Sequence, residues 1–501
     1  MGVRRASRLL AGLLLGLLAA EPARALDTIR IQLPLLQETF TLKVSDLRDP
    51  SSMAAGNSDL AELNRATNGA ISRQLNELLN SALPLQLGSL MRVAQGSSLL
   101  DQVLLLIAAL GEIDGLSAPP TTGRAELELA LRQAAGKDGR LSLADVLAAV
   151  PGTTATVDLN RLLVALRRLQ QQQAEAKPLL AAVPAANGDR FNAAGSQSYR
   201  RRNLSLPISY RPIPLPVVVV EPVSGSNGRL VVISHGLWDS PKNFEGWANH
   251  LASHGYTVLL PEHPGSDVSQ QHAMLSGKVP PPGPEELKLR PRDVSALIDA
   301  AAAGRLGLRT PVDTNQVLAV GHSWGATTVL QLAGATPSSQ RLRRDCNNID
   351  DPFYNLSWVL QCSFLSAADQ AGLADPRVQS VVAVSPPVRL LFAPGSARAM
   401  NAPVLLVSGT RDWVVPVGPE AIDPMRSMAA NTGIGPHRLV LAEGGDHFNL
   451  RAPATATDTP LNALILAWFA SGAALPGEGW GHKVFALRDV TAPLTESVVR
   501  R

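Results

Sequence analysis

The chain has 501 residues, 45% of them hydrophobic and 4% aromatic, with 45 Lys and Arg against 42 Asp and Glu. That length and apolar content supply two or more domains with a sizeable core. The near-balance of charge, a formal +3, leaves no basic footprint for a nucleic-acid partner.

The N-terminus reads as an address. Arg4, Arg5 and Arg8 precede the apolar run Leu9–Ala20, and Ala23-Arg24-Ala25 offers the small residues of a cleavage site, so residues 1–25 are predicted to be a secretory signal peptide. The run is too short to span a bilayer. With no cysteine at the cleavage site, a lipid-anchored form is not expected. Residues 1–25 hold four Arg and one Glu, leaving 41 charges of each sign on the mature chain. The expected location is therefore outside the cytoplasm, in the periplasm or the extracellular space.

Residues 26–173 are expected to form a small, mainly helical domain. Thr28–Leu33 alternates as a half-buried strand does. Leu99–Leu110 is an apolar block ended by Gly111. Ser142-Leu143-Ala144-Asp145 has the spacing of a capping box, opening a helix that stops before Pro151. Arg161–Gln173 is a polar-faced helical end closing on four consecutive glutamines. No catalytic constellation is visible here, and the region reads as a helical domain or lid. Residues 174–203 shift to the composition of a linker, ending in Arg200-Arg201-Arg202, read as a solvated surface.

From Leu204 to about residue 485 strands alternate with helices, the pattern of an α/β domain with a mostly parallel sheet. Strands are predicted at Val217–Val220, Leu230–Ser234, Thr257–Leu260, Gln316–Val320, Val378–Val384, Val404–Ser408 and His437–Leu441. Residues 336–368 interrupt the rhythm and hold both cysteines, Cys346 and Cys362. In an exported protein such a pair reads as a disulfide closing a local loop, with two buried free thiols as the alternative. Leu461–Leu475 is apolar but too short for a membrane span, and is read as the last helix on the sheet. Residues 486–501 are read as a tail.

The chemistry concentrates at Val317-Leu318-Ala319-Val320 followed by Gly321-His322-Ser323-Trp324-Gly325. Strand, tight turn and helix start are the context in which G-x-S-x-G becomes a nucleophile elbow. A serine hydroxyl needs a base, and the base an orienting acid, in the chain order Ser, acid, His. His447 follows the predicted strand ending at Leu441 through Gly444-Gly445. Asp412 follows the strand Val404–Ser408, at the carboxyl edge where open α/β sheets gather their functional groups. Asp446, beside the histidine, and Asp375, ahead of its strand, are weaker candidates, as are His272, His437 and His482. The oxyanion of an acyl transfer needs backbone donors; the N–H groups of Leu237 and Trp324 are the expected pair. Trp238, Trp324 and Trp413 adjoin these loops, which suggests an apolar pocket wall, with Trp238 and Trp413 as substrate-pocket residues.

Ser234-His235-Gly236-Leu237, Leu251-Ala252-Ser253-His254-Gly255-Tyr256, Pro261-Glu262-His263 and Gly321–Gly325 together resemble the platelet-activating factor acetylhydrolase and dienelactone hydrolase branch of the α/β-hydrolases. The resemblance covers residues 204–475 and implies an α/β-hydrolase fold. It also implies an oxyanion hole at Leu237 and the residue after the serine. One position departs. Where the eukaryotic acetylhydrolases carry their acid this chain reads Ser385-Pro386-Pro387, and Asp412 stands at the dienelactone-hydrolase position. Ile29-Arg30-Ile31-Gln32-Leu33-Pro34-Leu35-Leu36 and Val44-Ser45-Asp46-Leu47 are similar to a helical domain of unknown function ahead of exported bacterial α/β-hydrolases, which also tend to carry such a cysteine pair. The expectation is an exported serine esterase acting on small-molecule, lipid-like or short-acyl esters, with no cofactor and no metal. A dienelactone- or polyester-type hydrolase is one alternative and a catalytically silent binding protein another. Nothing in the sequence fixes an oligomeric state.

Overall fold

The alternating stretch near the start forms β1 (Thr28–Gln32), as its period of two requires, but it does not stand alone. In the computed structural model, which describes residues 26–32, 39–48, 55–69, 89–90, 93–108, 111–113, 152–393, 395–455 and 459–499, the chain divides into two units. One lies within residues 1–95, 104–164 and 275–278, and the other within 96–103, 165–274 and 279–501. The expected signal peptide and the capping box at Ser142 lie outside the described residues.

In the first unit β1 pairs antiparallel with β2 (Thr39–Lys43) and parallel with β4 (Thr154–Asp158), which in turn pairs antiparallel with β3 (Gly111–Ile113). The order is β2-β1-β4-β3. One opening strand followed by helices was the expectation; the described residues instead hold a four-stranded mixed sheet. Helix Asp59–Ala66 starts where Ser58 accepts the Ala61 N–H, and the Ser58 hydroxyl donates to buried Asp46.

The second unit is built on nine strands: β5 (Tyr199–Leu206), β6 (Leu215–Pro222), β7 (Arg229–Ser234), β8 (Thr257–Pro261), β9 (Asp313–His322), β10 (Val378–Val384), β11 (Val404–Gly409), β12 (Arg438–Glu443) and β13 (Ala486–Asp489). Their order is β13-β12-β11-β10-β9-β7-β8-β6-β5. The six from β8 to β12 are mutually parallel, with antiparallel β5 and β6 at one edge and β13 at the other.

The unbroken apolar runs of the central strands follow from burial on both faces. Alternate residues split between two cores. Val232, Ala319, Val381 and Leu406 face the helices Glu286–Ala302, Trp324–Leu332 and Asp423–Thr432. Val231, Val320, Val382 and Leu405 face Glu245–Ser253 and Asn462–Ala470. The latter helix is apolar on all sides because it is buried on all sides. It is not the last, since Thr491–Val499 follows. Among the described residues no helix is long and apolar enough to cross a membrane.

Two stretches read as linker and tail are structured. Residues 174–203 contain helix Ala176–Ala182 and half of β5. The arginine run is paired rather than only solvated: Arg200 and Arg202 meet Glu221, and Arg201 meets Glu245. The supposed tail supplies β13 and the closing helix. The insertion at 336–368 carries helices Ser339–Asp345 and Ser357–Ser363, joined by the Cys346–Cys362 disulfide with Cα atoms 5.6 Å apart. The free-thiol alternative is thereby removed.

Candidate active site

Two glycines let β9 turn into the helix Trp324–Leu332. A Cβ on Gly321 would lie 2.1 Å from the Gly325 carbonyl oxygen, and one on Gly325 2.0 Å from that of Ser234. Between them Ser323 takes φ 55° and ψ −123°, a conformation that costs an L-residue about 1–3 kcal/mol. Neighbouring bonds hold it there. Ser323 N–H donates to Val384 O of β10 at 2.8 Å, and its carbonyl accepts from Ala326 and Thr327. The Trp324 N–H, first in its helix, has no intrahelical acceptor.

Asp412 and His447 come together from the loops after β11 and β12. Those loops are zipped by backbone: Thr410 N–H donates to Ala442 O and Arg411 N–H to Gly445 O, while a Cβ on Gly409 would strike Gly445 O at 2.4 Å. Asp412 is fully buried. Its Oδ1 accepts the N–H groups of Val414 and Val415, and its Oδ2 lies 2.9 Å from His447 Nδ1. A carboxylate acceptor assigns the proton to Nδ1 and leaves Nε2 as the basic nitrogen. The weaker acids are engaged elsewhere. Asp446 accepts from Phe448 and Asn449 in its own turn, and Asp375 pairs with Arg377 ahead of β10.

His322, next to Ser323, donates from Nε2 to the His447 carbonyl at 2.8 Å, and the two rings lie 4.9 Å apart. Burial, and then the nearby His447, hold the His322 pKa well below the ordinary imidazole value. The bond ties the end of β9 to the loop that carries His447.

The loop after β7 runs directly against Ser323: a Cβ on Gly236 would come 3.1 Å from Ser323 Cβ. A relay of buried groups sets its direction. His263 N–H donates to His235 Nε2 at 3.0 Å, so His235 carries its proton on Nδ1 and donates it to Gly236 O at 2.7 Å. In a planar trans peptide the C=O and the following N–H point opposite ways. Anchoring Gly236 O therefore turns the Leu237 N–H to the other side. Behind the relay, Asp293 accepts from His263 Nδ1 at 2.9 Å and from Arg211 at 2.7 and 3.1 Å, and His263 Nε2 lies 2.9 Å from Ser234 Oγ. Arg290 donates to the His235 carbonyl and stacks on the Trp324 ring. Burial above all depresses Arg290 to about 9 and holds both histidines well below their usual range. Arg290 and Asp293 escaped sequence reasoning, because an i,i+3 charge pair in a helix looks the same whether it faces water or the core.

The tryptophans divide. Trp324 is entirely buried, its ring 4.7 Å from that of Phe364, so it packs the core rather than walling a pocket. Trp238 is half-buried, with φ 53° and its Nε1 donating to Gln270. Trp413 is 49% exposed beside Phe448, which is 46% exposed and meets the His447 ring edge-on at 5.3 Å. Phe448 was not anticipated. The glutamine run also reaches this region: Gln173 Nε2 donates to the Asp412 carbonyl, and Gln172 Nε2 to Pro352 O and Tyr354 O of the insertion.

Comparisons with known proteins agree with the architecture. Residues 229–344 match the family described as the alpha/beta hydrolase fold, and residues 25–158 match the one described as an alpha/beta hydrolase of unknown function (DUF1400). Two chlorophyllase-1 proteins, labelled chloroplastic, from Citrus unshiu and Citrus sinensis are each 25% identical over 122 residues, or 24% of this chain and 33% of theirs. The chain thus spans about a third of the length of these curated relatives.

Proposed function

We infer that this chain, an α/β-hydrolase by fold, is an exported serine hydrolase that cleaves carboxylic esters through an acyl-enzyme. Ser323 Oγ attacks the ester carbonyl carbon while His447 Nε2 takes its proton. Asp412 holds the imidazole and offsets the positive charge it gains. The tetrahedral oxyanion accepts from the Leu237 and Trp324 N–H groups. The C–O bond then breaks, the alcohol leaves with the proton from His447, and water repeats the sequence in reverse on the acyl-enzyme.

One observation carries the reading: a buried Asp412–His447 bond is tied through His322 to the strained, glycine-flanked turn that carries Ser323. Export is supported by the disulfide, which persists in oxidising compartments, and by the leader-like N-terminus. A lipid-like or short-acyl substrate is supported by the exposed Trp413 and Phe448 beside His447. The position of the acid after β11, with Ser385-Pro386-Pro387 after β10, favours a dienelactone-type substrate as the second reading.

The test is hydrolysis of p-nitrophenyl esters from acetyl to palmitoyl, with a dienelactone and chlorophyll in the same panel and Ser323→Ala as control. Wild type should turn over at least one ester, and the variant should lose about a millionfold in kcat. A fluorophosphonate should label wild type alone. Equal inactivity of both proteins across the panel, with no labelling, would reject the hydrolase and leave a binding role.

A further inference from the structure

The sheet carries a recess at the end of its strands opposite the candidate catalytic edge. Ser323, Asp412 and His447 follow the carboxyl ends of β9, β11 and β12, whereas this cavity is lined by Val404 at the amino end of β11 and by His437 just ahead of β12. Its volume is about 300 Å³. The walls are mainly apolar, with Leu330, Leu406, Met425 and Met428 opening to it from the core shared with helices Trp324–Leu332 and Asp423–Thr432.

Three charged side chains line it: Arg341, Arg389 and Asp423. Arg389 pairs with Asp423 at 3.1 Å and lies over the Phe353 ring, and Asp423 also takes Arg426. Arg341 is half-buried and donates to the Arg389 carbonyl at 2.8 Å, yet it enters none of the ion pairs found among the described residues. The nearby Glu420 is already spent on the N–H groups of Val388 and Arg389 and on Asn355 and Gln361. Burial first, and then Arg389 and Arg344, hold the Arg341 guanidinium below its ordinary value, against the opposing pull of Asp345 and Glu420. An anion seated beside it would relieve that penalty.

We propose that this cavity is a binding site, separate from the Ser323 centre, for an unbranched medium-chain fatty carboxylate. The carboxylate meets Arg341, and the alkyl chain lies among the leucines and methionines. At about 30 Å³ per water-sized group, the space holds about ten such groups, a chain of roughly eight to ten carbons. Methionines adapt to the shape of an alkyl chain, and an apolar wall with few polar groups is the usual make-up of a small-molecule site. The surplus positive charge sets the class: a neutral alcohol of equal length lacks the ion pair, and a cationic amphiphile is repelled. The site stands on its own geometry and not on the hydrolase reading, although the acid half of an ester belongs to the same chemical class.

The experiment is titration calorimetry of decanoate into the full chain, with decanol and decyltrimethylammonium as comparators. Expected is saturable one-to-one binding of decanoate, equal in wild type and Ser323→Ala, and at least tenfold weaker for both comparators. Arg341→Gln should weaken it at least tenfold, and Met428→Trp, which fills the cavity, should abolish it while leaving ester hydrolysis unchanged. Absence of saturable binding, loss of binding in Ser323→Ala, or full binding in Arg341→Gln would each overturn the site. Should Arg341→Gln fail to fold by circular dichroism, undiminished decanoate binding in a folded Met428→Trp would overturn it equally.

Discussion

Much of the chemistry at single positions turns on which nitrogen holds a proton. His235 accepts at Nε2 and donates at Nδ1, and that tautomer fixes the peptide that presents the Leu237 N–H. In the proposed mechanism, losing one oxyanion donor costs about 10²–10³ in kcat. His235→Ala should therefore lower kcat by about that factor while leaving KM within about twofold, as steady-state kinetics on a p-nitrophenyl ester will read. An equal rise in KM would mean that the loop shapes the substrate pocket instead. The placement of Ser323, Asp412 and His447 beyond the carboxyl ends of their strands was legible because each follows a strongly apolar run through a short loop. The direction a side chain faces was not legible. Trp324 adjoins the serine in sequence, yet as the first residue of a helix its ring goes into the core against Phe364.

Whole elements were read well where burial wrote the pattern and poorly where it did not. Val378–Val384 coincides with β10 because a strand covered on both faces is apolar throughout. Tyr199–Leu206 reads Tyr-Arg-Arg-Arg-Asn-Leu-Ser-Leu and was missed: it is an edge strand, and edges carry charge. The N-terminal sheet was missed because β1 finds β4 far along the chain, and local periodicity holds no record of a distant partner. Two predictions belong here. Cys362→Ser opens the link across a separation of 16 residues and should cost about 3 kcal/mol, read by urea unfolding; an unchanged midpoint would mean that the two insertion helices hold each other without it. Gly325→Ala drives a Cβ into the Ser234 carbonyl. It should destabilise by several kcal/mol or prevent folding, as thermal unfolding or soluble yield will record.

Across the whole molecule, neutral histidines are folded away from water. His235, His263 and His322 are held well below the ordinary value, chiefly by burial, and His250 is lowered to about 4. Between that value and the unfolded 6.5 the unfolded chain binds more protons, so the stability from His250 is full above pH 6.5 and is lost as the pH falls towards 4. The loss amounts to about 3 kcal/mol at most. His250→Gln should show a smaller fall in Tm between pH 7 and pH 4.5 than wild type does; an identical fall would assign the acid sensitivity to other groups. The backbone of Ser323 acts in the opposite sense, since it is strained at every pH. A residue at φ 55° and ψ −123° would rest more easily as glycine, so Ser323→Gly should melt higher than both wild type and Ser323→Ala. Heat and reactivity then select for different molecules. In the proposed mechanism, a chain selected for thermal endurance alone would give up the hydroxyl that attacks the ester.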